Sequence, residues 1–194
     1  MKRKFYTLYD DMVATTRGTA AFVDHSVLPD DFFTIQLHQG IKIDHFPTEC
    51  KLMIETEPLK KMDFDVAVNG MSWIIISKRL AETLKKVLYP NDVELLPIPL
   101  YDQKGEKVIR DDFYVINALK TFGRSIISSK SVALKSGFIL DTILIEKNIP
   151  KNVHIFRIKA EQCANKLVVD NVVRKALCSQ PHDGLSFIPI ETEY

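Results

Sequence analysis

An α+β fold, with mixed β-sheets and few short helices, is predicted by three observations. Aromatic and β-branched runs of strand length recur along the chain. Two segments carry a helical apolar stripe. Both lie in near copies of one unit. "IIISKRLAETL" (Ile74–Leu84) is followed by "ELLPI" (Glu94–Ile98), and "LVVDNVVRKAL" (Leu167–Leu177) is followed by "SFIPI" (Ser186–Ile190). Each copy reads as strand, capped helix and strand. One such unit cannot bury both its helix and its sheet face well, so the two are expected to share a core.

Residues 1–62 read as a strand-leaning N-terminal part of the same domain. "KFYTLY" (Lys4–Tyr9), "FFTIQLH" (Phe32–His38) and "CKLMIET" (Cys50–Thr56) are expected strands, punctuated by Pro29, Pro47 and Pro58. Residues 63–194 hold the internal repeat. In its first copy, "SWIII" is a continuous apolar run suited to a strand buried on both faces. Ser77 is the expected helix cap. Leu80, Leu84, Val87 and Leu88 form the stripe, and Lys85 and Lys86 suit the negative end of the helix dipole. "VELLPIPL" returns as a strand, and Lys104-Gly105 marks a hairpin tip. "FYVINAL" fits strand or helix. "SGFILDTILIE" and "NVHIFRI" read as further strands. In the second copy Asp170 is the cap, Val173, Ala176 and Leu177 form the stripe, and Asp183-Gly184 turns into "LSFIPI".

The chain has 194 residues, enough for one sizeable core without staples. Hydrophobic residues make up 46% and charged residues 26%, as in ordinary soluble domains. A net charge of +1 argues against a nucleic-acid binder, whose footprint is a basic excess on one face. The run Lys2-Arg3-Lys4 reads as a solvated terminus. No signal peptide and no membrane span are expected, because Asp10 and Asp11 interrupt the N-terminal apolar residues and no apolar stretch reaches ~18 residues. Cys50, Cys163 and Cys178 are odd in number and widely spaced. They fit reduced, mostly buried thiols of a cytoplasmic protein.

Reaction machinery is missing from the pattern. There is no phosphate-binding glycine loop, no G-x-S-x-G elbow, no C-x-x-C and no H-E-x-x-H. His38 and His45, seven apart with Asp44 and Glu49 nearby, could form a metal site, but loop or strand histidines are the preferred reading. Asp63 and Asp65 fall on one side of an extended segment, where paired carboxylates do acid–base work or simply face water. Arg157, set among Ile155, Phe156 and Ile158, should point away from Phe156. It either pairs with a carboxylate or faces water, and recognition of a ligand carboxylate is a third reading. Asn117 suits satisfaction of backbone groups, and Trp73 suits the core. No catalytic residue, cofactor or metal is expected. An enzyme built on Asp63, Asp65, Arg157 and a histidine, or a self-associating module, are the competing readings.

The ordered set "DFDVAVNGMSWIIISKRLAETLKK", "VELLPIPL", "FYVINAL", "HIFRI", "LVVDNVVRKAL" and "LSFIPI" resembles the bacterial immunity-protein family of polymorphic toxin systems, the Myxococcus-type immunity protein domain. The resemblance covers about Asp63 to Tyr194. Its signature falls on Asp63, Phe64, Ser77, Leu80, Asn117, Phe156 and Arg157. The chain departs from the pattern at "KTFGRSIISSKS", which offers serines and no aspartate, and at Asp170, where a serine is usual. The resemblance implies a small soluble protein that binds and neutralises a cognate protein toxin, without catalysis. The missing export signal adds a cytoplasmic location, and the charge balance and the lack of an apolar span leave neither nucleic acid nor membrane as partner. A protein partner needs exposed polar surface. The first candidate is the hairpin carrying Tyr101, Asp102, Lys104, Glu106, Lys107, Arg110, Asp111 and Asp112.

Overall fold

A computed structural model describes residues 3–27, 31–44, 47, 49–56, 59, 63–136, 139–159 and 166–194. In chain order the elements are β1 (Phe5–Asp10), α1 (Met12–Thr16), β2 (Ala21–Val27), α2 (Asp31–Gln39), β3 (Lys51–Glu55), β4 (Val66–Val68), β5 (Ile75–Ser77), α3 (Lys78–Lys85), β6 (Val93–Tyr101) and β7 (Val108–Ala118). There follow β8 (Thr121–Phe122), β9 (Val132–Ala133), β10 (Ile139–Asp141), β11 (Ile143–Ile145), β12 (Ile155–Ile158), β13 (Leu167–Asp170), α4 (Asn171–Cys178) and β14 (Leu185–Glu193). The α+β class holds, with β-structure dominant and helices short.

Six strands close a barrel in the order β2-β3-β6-β7-β5-β4, and six form a mixed sheet in the order β11-β14-β1-β13-β12-β8. Strands β9 and β10 make a separate pair. Val23, Leu52, Ile54, Ile75, Ile98, Leu100, Phe113 and Val115 belong to the barrel's core, which Phe64 and Trp73 complete. A second core lies between barrel and sheet. Ile74, Ile76 and Ile116 from the barrel side meet Tyr6, Leu8, Ile155 and Val169 from the sheet. A third core covers the opposite sheet face, where Phe156 packs between Phe5 and Phe122 at ring separations of 6.0 and 5.1 Å. The continuous apolar runs are thereby explained. Ile75 faces one core while Ile74 and Ile76 face another, and Val168 and Val169 divide in the same way.

The two copies share a topology as well as a pattern. β5 and β6 each pair antiparallel with β7, which lies between them. β13 and β14 each pair antiparallel with β1, which lies between them. Each unit is therefore a strand–helix–strand crossover with an antiparallel strand inserted in the gap. Leu80 and Leu84 of α3, with Val173 and Leu177 of α4, are fully buried in the shared second core, as the stripes require.

Four expectations need correction. "FFTIQLH" is helical, forming most of α2. Alternation would put residues 35 and 37 on one side, yet Ile35 is 47% exposed while Leu37 is fully buried against the barrel core. Helical spacing separates them, and packing has overridden a weak strand propensity. Ser77 stands at the N-cap of α3 but gives it no side-chain bond. Its hydroxyl goes to Asp65. Arg3 is no solvated terminal charge, because it donates to the Pro150 carbonyl at 3.1 Å and meets Asp170 at 3.3 Å. Cys50 is buried, but Cys178 is exposed. Pro29, His45, Pro58 and Cys163 lie outside the described residues.

Candidate functional site

The signature residues divide between packing and surface. Leu80 and Phe156 are fully buried apolar groups. Asn117 is fully buried in β7, where its amide donates to the Ile41 carbonyl at 2.8 Å and to Glu94 at 2.9 Å. Glu94 in turn accepts the Ile43 backbone N–H at 3.0 Å. The pair therefore ties the connection between α2 and β3 onto the barrel, a task that uses both N–H donors of the amide.

Asp63, Phe64 and Asp65 line a cleft of about 630 Å³ with Arg79, His182 and Asp183, and the buried Ser77 hydroxyl reaches Asp65 from behind it. Phe64 is buried under its rim, and Asp63 is exposed. Asp65 accepts from Ser77 and from both Nε (3.1 Å) and Nη2 of Arg79. Arg79 also reaches Gln180 at 3.0 Å and the Pro181 carbonyl at 2.7 Å. This fastens the approach to β4 against the turn that follows α4. The Asp65 carboxylate raises the Arg79 pKa, and burial lowers that of His182. With Asp65 committed to Arg79, Asp63 and Asp183 are the exposed acidic groups of the cleft. The paired carboxylates do share one cleft, but their roles differ.

The hairpin between β6 and β7 adjoins this rim. Asp102 builds its turn, accepting the N–H groups of Glu106 at 2.9 Å and Lys107 at 3.2 Å, and these bonds lower its pKa. Gly105 has φ +68, a conformation that tolerates glycine best. Lys51 donates to the Gly105 carbonyl at 3.0 Å and lies 5.0 Å from the Tyr101 ring centroid. Arg110 grips Asp112 through two bonds of 2.7 and 2.9 Å, and its guanidinium covers the Phe64 and Phe113 rings at 5.3 and 5.0 Å. Arg110 lowers the pKa of Asp112. Tyr101, Asp102, Arg110 and Asp112 are thus half-buried parts of the framework. Lys104, Glu106, Lys107 and Asp111 are exposed and present charge outward.

Arg157 stands apart from Asp63 and Asp65. It lines a separate cavity of about 300 Å³ with His38 and Lys166, so the constellation considered for an enzyme is not assembled. Pattern reading passed over Arg79 and Lys166, since an exposed-face arginine and a pre-strand lysine look like ordinary solvated charges. It also set His38 and His182 aside. Among the described residues, no group of three or more His, Cys, Asp or Glu side chains is placed to hold a metal. Nor is any described helix long and apolar enough to cross a membrane.

The immunity protein family (Imm11) matches residues 4–192, and the chain belongs to that family. The match takes in β1, β2 and β3, well beyond the span from Asp63 onward on which the resemblance rested. No curated protein matches the chain.

Proposed function

We propose that this protein is a cytoplasmic immunity protein that binds and neutralises a cognate protein toxin of a polymorphic or contact-dependent system, without catalysis. Membership of the immunity protein family across residues 4–192 carries this reading. The free thiols of Cys50 and Cys178 suit a reducing compartment. A toxin that this protein restrains there attacks a cytosolic target. Residues 1–62 and 63–194 act as one domain, a view supported by β1 lying at the centre of the sheet and by β2 and β3 lying within the barrel.

The toxin-facing surface is the hairpin and the adjoining cleft rim, with Lys104, Glu106, Lys107, Asp111 and Asp63 as its charged groups. A toxin complex of ordinary size buries ~1,200–2,000 Å², more than the hairpin alone supplies, so the rim takes part. The test is co-expression with the toxin encoded beside this protein, scoring survival and co-purification. Survival together with a stable complex is the expected result. Survival without any complex overturns neutralisation by binding.

A further inference from the structure

Arg157 is 2% exposed, and its side chain has no hydrogen-bond or ion-pair partner among the described residues. Strand β12 fixes this placement. Arg157 pairs through its backbone with Leu167 and Thr121, and its N–H donates to the Lys120 carbonyl at 2.8 Å. Phe156 occupies the opposite sheet face, so Arg157 points towards the junction with the barrel. Neither of its expected structural fates, a carboxylate partner or open water, is realised. Nε is wholly buried and unsatisfied. A buried charge without a partner is among the costliest arrangements a fold can hold.

The guanidinium does have a space to address. It lines the cavity of about 300 Å³ together with Asp10, His38, Ser72 and Lys166. Lys166 also lines it, but its ammonium donates to Thr142 at 3.0 Å, outside the lining. His38 Nε2 donates to the Met71 carbonyl at 3.1 Å, and burial followed by the charge of Arg157 lowers its pKa, leaving a neutral ring at pH 7. Asp10 accepts the Asn69 N–H at 2.8 Å and forms no ion pair with Arg157. Burial raises its pKa. Burial lowers Arg157 only to about 10, so it stays cationic at neutral pH. Ser72, with φ 57, is the one described non-glycine residue at positive φ, and backbone strain of this kind gathers at ligand sites.

We propose that this cavity is a binding site for the oxyanion of a small molecule, a carboxylate or a phosphate, recognised by Arg157. A guanidinium offers a planar fork of N–H donors that matches either group, and the cavity is of small-ligand size. The assignment is independent of toxin neutralisation, because Arg157 lies within the barrel–sheet junction and away from the hairpin.

The experiment is a titration of the ¹⁵N-labelled protein with inorganic phosphate in one arm and succinate in the other, with sodium chloride controlling for ionic strength. The Arg157 Nε–H resonance is identified by its loss in Arg157→Lys. A saturable shift of that resonance in at least one arm is expected, and the arm that saturates at lower concentration tells phosphate from carboxylate. Arg157→Met should weaken the binding at least tenfold. Thermal stabilisation by the same anion should disappear in Arg157→Met. If Arg157→Met does not fold, the wild-type and Arg157→Lys titrations decide. The proposal is overturned if neither anion gives a saturable shift, or if Arg157→Met is stabilised as much as the wild type.

Discussion

Ser77 and Asp170 occupy the same position in the two repeated units, at the junction of strand and helix, yet only Asp170 caps its helix. Asp170 Oδ1 accepts the N–H of Val172 at 2.8 Å and of Val173 at 3.3 Å, while Oδ2 meets His154 at 2.8 Å and Arg3 at 3.3 Å. Ser77 gives its hydroxyl to Asp65 instead. Asp170→Ala removes a cap worth ~1 kcal/mol and strips two basic groups of their buried partner, for a loss of about 2–4 kcal/mol. Ser77→Ala loses one bond to a carboxylate that Arg79 still holds, about 1 kcal/mol. Urea denaturation of both variants checks the asymmetry, and equal losses would contradict it.

The helix stripes are core. Leu84→Ala and Leu177→Ala should each cost ~2–5 kcal/mol, because both side chains are fully buried in the core shared by barrel and sheet. The double variant should depart from additivity, since neighbouring sites share one cavity's relaxation. A loss below 1 kcal/mol for either would show that the helices do not lean on that core.

Asp10 gives a pH signature. Burial raises its folded-state pKa above the ordinary 3.8, so the native state holds its proton more tightly than the unfolded chain. Stability from this group is therefore present below pH 3.8 and declines as pH rises through the raised value. Asp10→Asn keeps an oxygen to accept the Asn69 N–H. It should raise the Tm at pH 7, with the gain shrinking towards zero as pH falls below 3.8. A gain independent of pH would rule out the carboxylate as its source.

For the hairpin, structural and outward-facing charges separate cleanly. Reversing Lys104, Glu106, Lys107 and Asp111 together should leave stability within ~0.5 kcal/mol, as exposed charges do, while weakening toxin binding at least tenfold. Asp102→Ala, which removes the acceptor of two turn N–H groups, should instead loosen the hairpin and lower the Tm. Calorimetric titration with the toxin tests the first. Full affinity after the reversal would remove the hairpin from the interface.

Much of the local structure was legible because it depends on neighbours in sequence. Stripes at Leu80–Leu84 and Val173–Leu177 need only helical periodicity. The buried runs at Ile74–Ile76 and Leu167–Val169 need only strand length and apolarity. Gly105 marks its own turn. "FFTIQLH" was misread because its aromatic and β-branched residues favour strands by propensity, while the environment that places Leu37 against the barrel core and Ile35 in solvent is set by distant strands. In the candidate site, Asp63 and Asp65 were legible as a pair. Their division into a rim group and an anchored group was not, because Arg79 and Pro181 reach that place from other parts of the chain.

The sequence by itself determined two strand–helix–strand units, the Asp170 cap and the apolar faces that must be covered, since each follows from short-range spacing. Tertiary structure alone decided which strand enters each gap. β7 fills the first from immediately downstream, and β1 fills the second from the other end of the chain. Pairing of that kind rests on hydrogen bonds between backbones, which carry no residue code. The same long-range closure buried Arg157 beneath the barrel, with no carboxylate paired to it among the described residues. A strand's alternation tells which way an arginine points, and the rest of the fold decides what it meets there.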